Sequence, residues 1–530
     1  MKITKITELI KEAPQVLKGS EDDKFSTKPL EEMVIGLVCS VGTDLEAITK
    51  KIRDRLSLYQ FECSEVRISS DVIAQLSGFG HYIDNYQRID DLMTKGNKLR
   101  EDSECNYVLA LGAITKINEI RARNECLKIK KKGIAYIINS IKHPEEVYKF
   151  REVYGSGFLL FGIFSDENRR LDNLTRNKGI PEDKASLLIA RDEDEESGHG
   201  QHTRDTFHLA DFFLNQDGRD DKLNNDIKRV FDLLFGNPFI TPTFDEYAMY
   251  MAFSSALRSA DLSRQVGAVL AKNYAIMSTG ANDVPKFGGG LYWPYFNTEN
   301  ESYEDYSDGR DYVRGFDSNA KQKKEIMDDI LKQINGKSRD KLEGILKNSL
   351  IQDITEYGRV VHAEMEAILA CARTNISTQD AYIYCTTFPC HNCAKHIIAS
   401  GIKRVVYIEP YPKSKAYEFH SESITNDERE HEKVLFEPFI GIGPRVYFNL
   451  FSIVNGSGNK IKRKDSYGNV NNGIQIRIGL VSRPGGFEDS PEAEFISGGV
   501  SAKTLDAVAI GRHGNFFHWG FAASPADMTE

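Results

Sequence analysis

Two short motifs constrain this chain more than anything else in it. His362-Ala363-Glu364 opens one helical pattern and Pro389-Cys390-His391-Asn392-Cys393 opens another, with 27 residues between His362 and Cys390. A C-x-x-C pair at a helix start puts two sulfurs on one side of the first turn, where the helix dipole favours thiolates. Two thiolates and a neutral imidazole form a near-neutral donor set for zinc, which takes nitrogen and sulfur ligands tetrahedrally. For His362, Cys390 and Cys393 to reach one ion, the chain between them must fold back on itself. The pattern supports this: helix over 361–373, strand over 381–387, helix over 392–400 and strand over 403–409.

Three protein ligands leave the fourth zinc position for water, the arrangement of a catalytic site. Glu364, two residues from His362, is near enough to reach such a water without ligating the same ion. It would take the water proton and deliver it to a ring nitrogen and to departing ammonia. H-x-E…P-C-x-x-C is the signature of zinc nucleobase deaminases. The competing reading is a structural zinc knuckle with His391 or His396 as fourth ligand, which accounts for neither Glu364 nor Pro389.

At 530 residues the chain is long enough for two or three domains. Residues 1–29 are polar and read as a flexible lead-in. Over 30–236, apolar runs at 33–39, 61–68, 107–113, 133–139 and 157–165 alternate with helical patterns at 44–56, 86–99 and 144–154. That alternation predicts an α/β fold with a parallel sheet. Turn residues and prolines at 236–243 mark a boundary, and 237–465 reads as a second domain. Its start carries a helix over 245–260 and strands at 266–271 and 275–281. An insertion at 286–345 follows, with its own helix near 321–334. The glycine-rich tail 466–530 has no assignment.

The segment Gly36-Leu37-Val38-Cys39-Ser40-Val41-Gly42-Thr43 has the strand–glycine–helix plan of a phosphate loop. Gly36, Gly42 and Thr43 are its candidate nucleotide-binding residues. Five residues separate the glycines where the Walker pattern has four, and its lysine is absent. Phosphoryl transfer is therefore not expected, and a nucleotide sensor or an assembly scaffold remains.

Beyond the zinc motifs, Arg258-Ser259-Ala260, Val266-Gly267-Ala268-Val269 and Gly280-Ala281-Asn282-Asp283 resemble the opening helix, hairpin and following loop of the cytidine and deoxycytidylate deaminase superfamily. Residues 286–293 (KFGGGLYW), 308–311 (DGRD) and 409–415 (EPYPKSK) resemble anti-phage dCTP deaminases, which join this domain to a P-loop kinase-like N-terminal domain. The resemblance implies a cytidine deaminase-like α/β/α second domain, with Asn282 on the deoxyribose. Tyr411, Lys413 and Ser414 would line the phosphates. It also implies a homo-oligomer, a free dCTP or dCMP substrate and depletion of that pool during infection.

The remaining bounds are compositional. A formal charge of −10 argues against a grip on long nucleic acid. A deaminase acting on a base inside RNA or DNA stays open all the same, with Tyr292, Trp293 and Tyr295 as candidate stacking residues. So does a non-enzymatic nucleotide-binding module with structural zinc. Eight cysteines with one C-x-x-C pair do not form a disulfide framework. With no signal-peptide pattern and no long apolar run, a cytoplasmic, membrane-free protein is the expectation.

Overall fold

The structure is a computed structural model that describes residues 31–78, 80–126, 133–193, 200, 202–237, 239–333, 338–347, 349–354, 356–411 and 414–452. The expected lead-in at 1–29, the tail at 466–530 and Lys413 lie outside the described residues.

The first sheet is built from β1 (Glu31–Cys39), β2 (Phe61–Arg67), β3 (Gly133–Asn139), β4 (Phe158–Phe164) and β5 (Phe212–Asn215). These run parallel in the order β5-β4-β1-β3-β2. Their continuous apolar runs are explained by cover on both faces: every residue of β3 is buried. One face packs on α1 (Leu45–Leu58) through Ile48, Ile52 and Leu56. The other takes α2 (Asn85–Asp102), α3 (Val108–Cys126) and α4 (Pro144–Tyr154). Helix α4 begins as the sequence dictates, with Pro144 in its first turn and His143 accepting from the Glu145 amide at 3.1 Å. Two further helices, α5 (Glu182–Glu193) and α6 (Asp220–Leu234), complete this half.

The run at 107–113 is not a strand. It forms the start of α3, with Val108, Leu109, Ala110, Leu111, Ala113, Ile114 and Ile117 all buried. Seven apolar residues suit a buried strand or a buried helix equally, and the continuation through Ile117 decides for the helix.

The second sheet comprises β6 (Gly267–Lys272), β7 (Ala275–Ala281), β10 (Tyr382–Thr387), β11 (Arg404–Glu409), β12 (Ile424–Thr425) and β13 (Val434–Pro438), ordered β12-β13-β11-β10-β6-β7. The β6–β7 hairpin is antiparallel, and β10 through β12 are parallel. Helix α7 (Phe244–Ala256) opens this half with a capping box between Thr243 and Glu246. The insertion forms a small hairpin, β8 (Tyr295–Asn297) with β9 (Ser302–Glu304), and a helix, α8 (Ser318–Lys332). Helices α9 (Ala363–Arg373) and α10 (His391–Ala399) cover the face that carries the metal motifs.

The two halves are tied together. After β13 the chain adds β14 (Gly441–Ile442) antiparallel to β5 in the first sheet, then α11 (Pro444–Phe451). The segment 441–451, inside the stretch expected as the second domain, thus packs with the first sheet. Glu246, 1% exposed, holds the junction: its carboxylate accepts from Arg229 of α6 at 2.5 Å, from the Ile442 amide at 2.9 Å and from the Thr243 amide at 2.7 Å. An apolar cluster runs across both halves, including Val34 and Val38 of β1 with Met249, Tyr384 and Phe439.

What sets the metal-bearing helix in place is the approach of α9 to β7. A Cβ on Gly280 would stand 2.0 Å from the Ala363 carbonyl oxygen, so only glycine fits. Gly280→Ala is expected to push α9 off the sheet at a cost of about 1–3 kcal/mol. Denaturant unfolding and zinc content, both lowered, check this.

Candidate metal centre and active-site cleft

His362 and Cys390 are the N-cap residues of α9 and α10, and neither side chain caps its own helix. Both are free to turn toward the space where the two helix N-termini converge. His362 Nδ1 lies 3.3 Å from Cys390 Sγ and 3.3 Å from Cys393 Sγ. Zinc bonds of about 2.0 Å to nitrogen and 2.3 Å to sulfur at tetrahedral angles put these atoms about 3.6 Å apart, so the donor set fits the ion. Neither proposed fourth ligand joins them: His396 Nδ1 bonds the Asn392 carbonyl at 2.7 Å, and His391 packs on the Phe419 ring. Among the described residues, the only His/Cys/Asp/Glu group close enough for a metal is His362, Cys390 and Cys393.

The electrostatics of the chain's own groups agree with this use. Hydrogen bonds from Cys393 and His362 pull the Cys390 thiol down to about 4. The bond to Cys390 pushes His362 up to about 9. Cys393 is pushed well up by the same thiolate and by burial. Glu364, 4% exposed, has its carboxyl raised by burial first and by the Cys390 charge second. A carboxyl raised in this way holds and releases a proton nearer neutrality than an exposed one.

His362, Glu364 and Cys390 line a cleft of about 200 Å³. The loop after β7 forms one wall. Asn282 lies there, 6% exposed, but its amide oxygen accepts from the Val266 amide at 2.7 Å and its nitrogen donates to the Arg264 carbonyl at 2.8 Å. It therefore braces the segment before β6, and one amide hydrogen is left for a ligand. The neighbouring Asp283 exchanges backbone hydrogen bonds with Val361, so this wall is stitched to the residue before His362.

Tyr411 also lines the cleft, with the Arg264 guanidinium 5.0 Å from its ring centre. Ser414 does not reach out as expected, because its hydroxyl donates to the Pro389 carbonyl at 2.8 Å and steadies the cysteine loop. Sequence reasoning missed Arg264, which lines the cleft 3.1 Å from Glu409. A lone arginine before a strand carries no signal. It also missed the insertion's part: Asp311, Asp317 and Asn319 line the same cleft. Asp311 stood inside the DGRD stretch. Asn319 gave no hint, yet its side-chain oxygen is buried without a hydrogen-bond partner among the described residues.

Of the phosphate-loop residues, Gly36 is mid-strand in β1, where a Cβ would meet Ile141 at 2.5 Å; its role there is packing. Gly42 takes φ +88° and lies against the Arg170 backbone, and the Thr43 hydroxyl donates to the Ser40 carbonyl at 2.8 Å. Of the aromatic candidates, Tyr292 and Tyr295 pack on Tyr306, and Trp293 lies 3.9 Å under the Arg258 guanidinium. They consolidate the insertion.

Residues 242–409 match the model of the cytidine and deoxycytidylate deaminase zinc-binding region. The chain is 30% identical to the deoxycytidylate deaminase of enterobacteria phage T2 over 167 residues, 32% of this chain and 80% of that protein. Against the Saccharomyces cerevisiae deoxycytidylate deaminase it is 26% identical over 237 residues, 42% of this chain and 59% of that protein. A solved dCMP deaminase from cyanophage S-TIM5, in complex with dCMP and dUMP, is 19% identical and aligns over 38% of this chain and 99% of its own, with a TM-score of 0.22.

With Cys390 already a thiolate at neutral pH, and His362 and Cys393 holding protons, zinc added to metal-stripped protein at pH 7.5 should release about two protons per ion. Calorimetry in buffers of different ionisation enthalpy counts them. Affinity should rise with pH toward 9, as His362 loses its competing proton. Cys390→Ala should abolish tight binding.

Proposed function

The chain belongs to the cytidine and deoxycytidylate deaminase family of hydrolytic zinc enzymes, and from that premise we propose that it converts a free deoxycytidine nucleotide to the deoxyuridine nucleotide and ammonia. The observation that carries the proposal is the buried Glu364 carboxyl beside a three-ligand metal centre at the end of a walled cleft. His362, Cys390 and Cys393 would hold the zinc, which when bound would supply Lewis acidity that activates water near neutral pH. Glu364 takes a proton from the attacking water, gives it to the ring nitrogen next to the reacting carbon, and serves the departing amine in the same way. Burial suits it to both halves of that task, since its raised carboxyl gains and loses a proton without extreme cost.

The lining of the cleft supports a substrate class. The relatives named above are deoxycytidylate deaminases. Arg264 is the only lysine or arginine lining the cleft among the described residues, and we assign it to the substrate phosphate, in exchange for Glu409. Asn282 offers its remaining amide hydrogen to the sugar, and the orphaned Asn319 oxygen supports an acceptor role toward a substrate hydroxyl or amine. Tyr411 lies beside Arg264 in the same wall, and Lys413 follows it outside the described residues. Asp311 and Asp317 also line the cleft and their charge disfavours a nucleic-acid strand, while Tyr292 and Tyr295 pack on Tyr306. A free nucleotide fits better than a base within RNA or DNA. We extend the proposal to dCTP as well as dCMP, and to depletion of that pool in anti-phage defence, on the resemblance of 286–293, 308–311 and 409–415.

Glu364→Ala should keep its zinc and lose about 10²–10⁴-fold in kcat. Ammonia release with metal analysis tests this, and a variant with undiminished turnover would remove Glu364 from the chemistry. Arg264→Ala should raise KM for the nucleotide about tenfold or more while sparing turnover of the unphosphorylated nucleoside. Nucleotide profiling of cells carrying wild-type or Glu364→Ala protein, with and without infection, tests the pool-depletion role.

A further inference from the structure

In an open parallel sheet, ligands bind outside the carboxyl ends of the strands where the chain's winding reverses. In the first sheet that reversal lies at β1, with β3 and β2 to one side and β4 and β5 to the other. A cleft of about 230 Å³ opens there, in the half of the chain remote from the zinc motifs in sequence. Its base is the turn Ser40–Val41–Gly42–Thr43. One wall is apolar, made by Ile89, Leu92 and Met93 of α2 with Ile68 and Ile73. Among the described residues the lining of the cleft holds four cations, Arg88, Arg100, Lys142 and Lys178, and one carboxylate, Asp192; Arg100 is already paired with buried Glu146 at 2.8 Å. Arg88 and Lys178 are exposed and have no acidic partner among the described residues.

Asp192, 2% exposed, occupies the position of an anion. Its carboxylate accepts from the Val41 amide at 2.8 Å and from Lys142 Nζ at 2.8 Å, while Lys142 also donates to the Cys39 carbonyl at 2.7 Å. The amide of the turn after β1 and the nearest lysine, the groups that would hold a phosphate, are thus held by an internal carboxylate. The Asp44 amide is likewise taken by Gln216 at 3.1 Å.

We propose that this cleft is a second ligand site that binds a nucleoside phosphate without hydrolysing it. The phosphate displaces Asp192 from the Val41 amide and Lys142 and draws on Arg88 and Lys178. The base lies along Ile89, Leu92 and Met93. Binding without hydrolysis follows from the loop itself, which lacks the Walker lysine and has Gly36 buried in the strand. The assignment is independent of the chemistry at the zinc.

The test uses the full-length zinc-loaded chain in equilibrium dialysis with labelled ATP and dTTP, and with inorganic pyrophosphate as the phosphate-only probe. At least one nucleotide should bind, and more tightly than pyrophosphate. Arg88→Glu, an exposed change that leaves the fold alone, and Leu92→Trp, which fills the cleft, should each weaken binding tenfold or more with zinc content unchanged. Asp192→Asn should act in the opposite direction and tighten binding severalfold, because it removes the competing carboxylate. A merely structural Lys142–Asp192 pair would not produce that gain. The proposal is overturned if neither nucleotide binds at millimolar concentration, if binding survives both Arg88→Glu and Leu92→Trp, or if pyrophosphate binds as well as the nucleotides.

Discussion

The deaminase centre depends on two helices beginning at one point. α9 and α10 direct their N-termini at the same few ångströms, so His362, Cys390 and Cys393 meet without any long side chain having to reach. The helix dipoles favour negative charge there, which stabilises thiolates. That convergence is enforced from below. Gly280 lets the Ala363 carbonyl rest on β7, and the parallel pairing of β10 with β11 sets where the cysteine loop leaves the sheet. Ser414 and the Asp283–Val361 bridge then fix the two loops from the sides.

Burial does the rest of the work on Glu364. In water its carboxyl would be ionised well below neutrality and a poor proton carrier. Enclosed between α9 and the cysteines, it is held higher. The insertion contributes to that enclosure. Its residues Asp311, Asp317 and Asn319 line the cleft together with Arg264 and Tyr411, so an element that reads as peripheral decoration is part of the site.

Much of this was legible in the sequence, for identifiable reasons. Metal ligation demands particular residue types at particular spacings, so His362, Glu364, Cys390 and Cys393 stood out, and the intervening helix–strand–helix followed from them. The parallel sheet was legible because strands covered on both faces are apolar throughout. The same property misled at 107–113, where the first turns of α3 are buried all round and carry no strand-or-helix periodicity. Short edge strands such as β14 were invisible, since two residues held by partners distant in sequence leave no local pattern. Asn282 stood out as a candidate, but not that its amide braces Val266 and Arg264. Arg264 and Asn319 were missed because their roles arise only when separate loops are brought face to face. Lys142 and Asp192, fifty positions apart, pose the same difficulty in the first half.

Hydrolysis at a cytosine ring by this metal centre would put one solvent oxygen into the product. Its most direct test is to incubate the purified zinc-loaded protein with dCMP and with dCTP in ¹⁸O-labelled water and to follow the nucleotides by mass. A deoxyuridine nucleotide carrying one solvent oxygen should form in equal amount with ammonia. Recovery of both nucleotides unchanged, or of product without solvent oxygen, would contradict it.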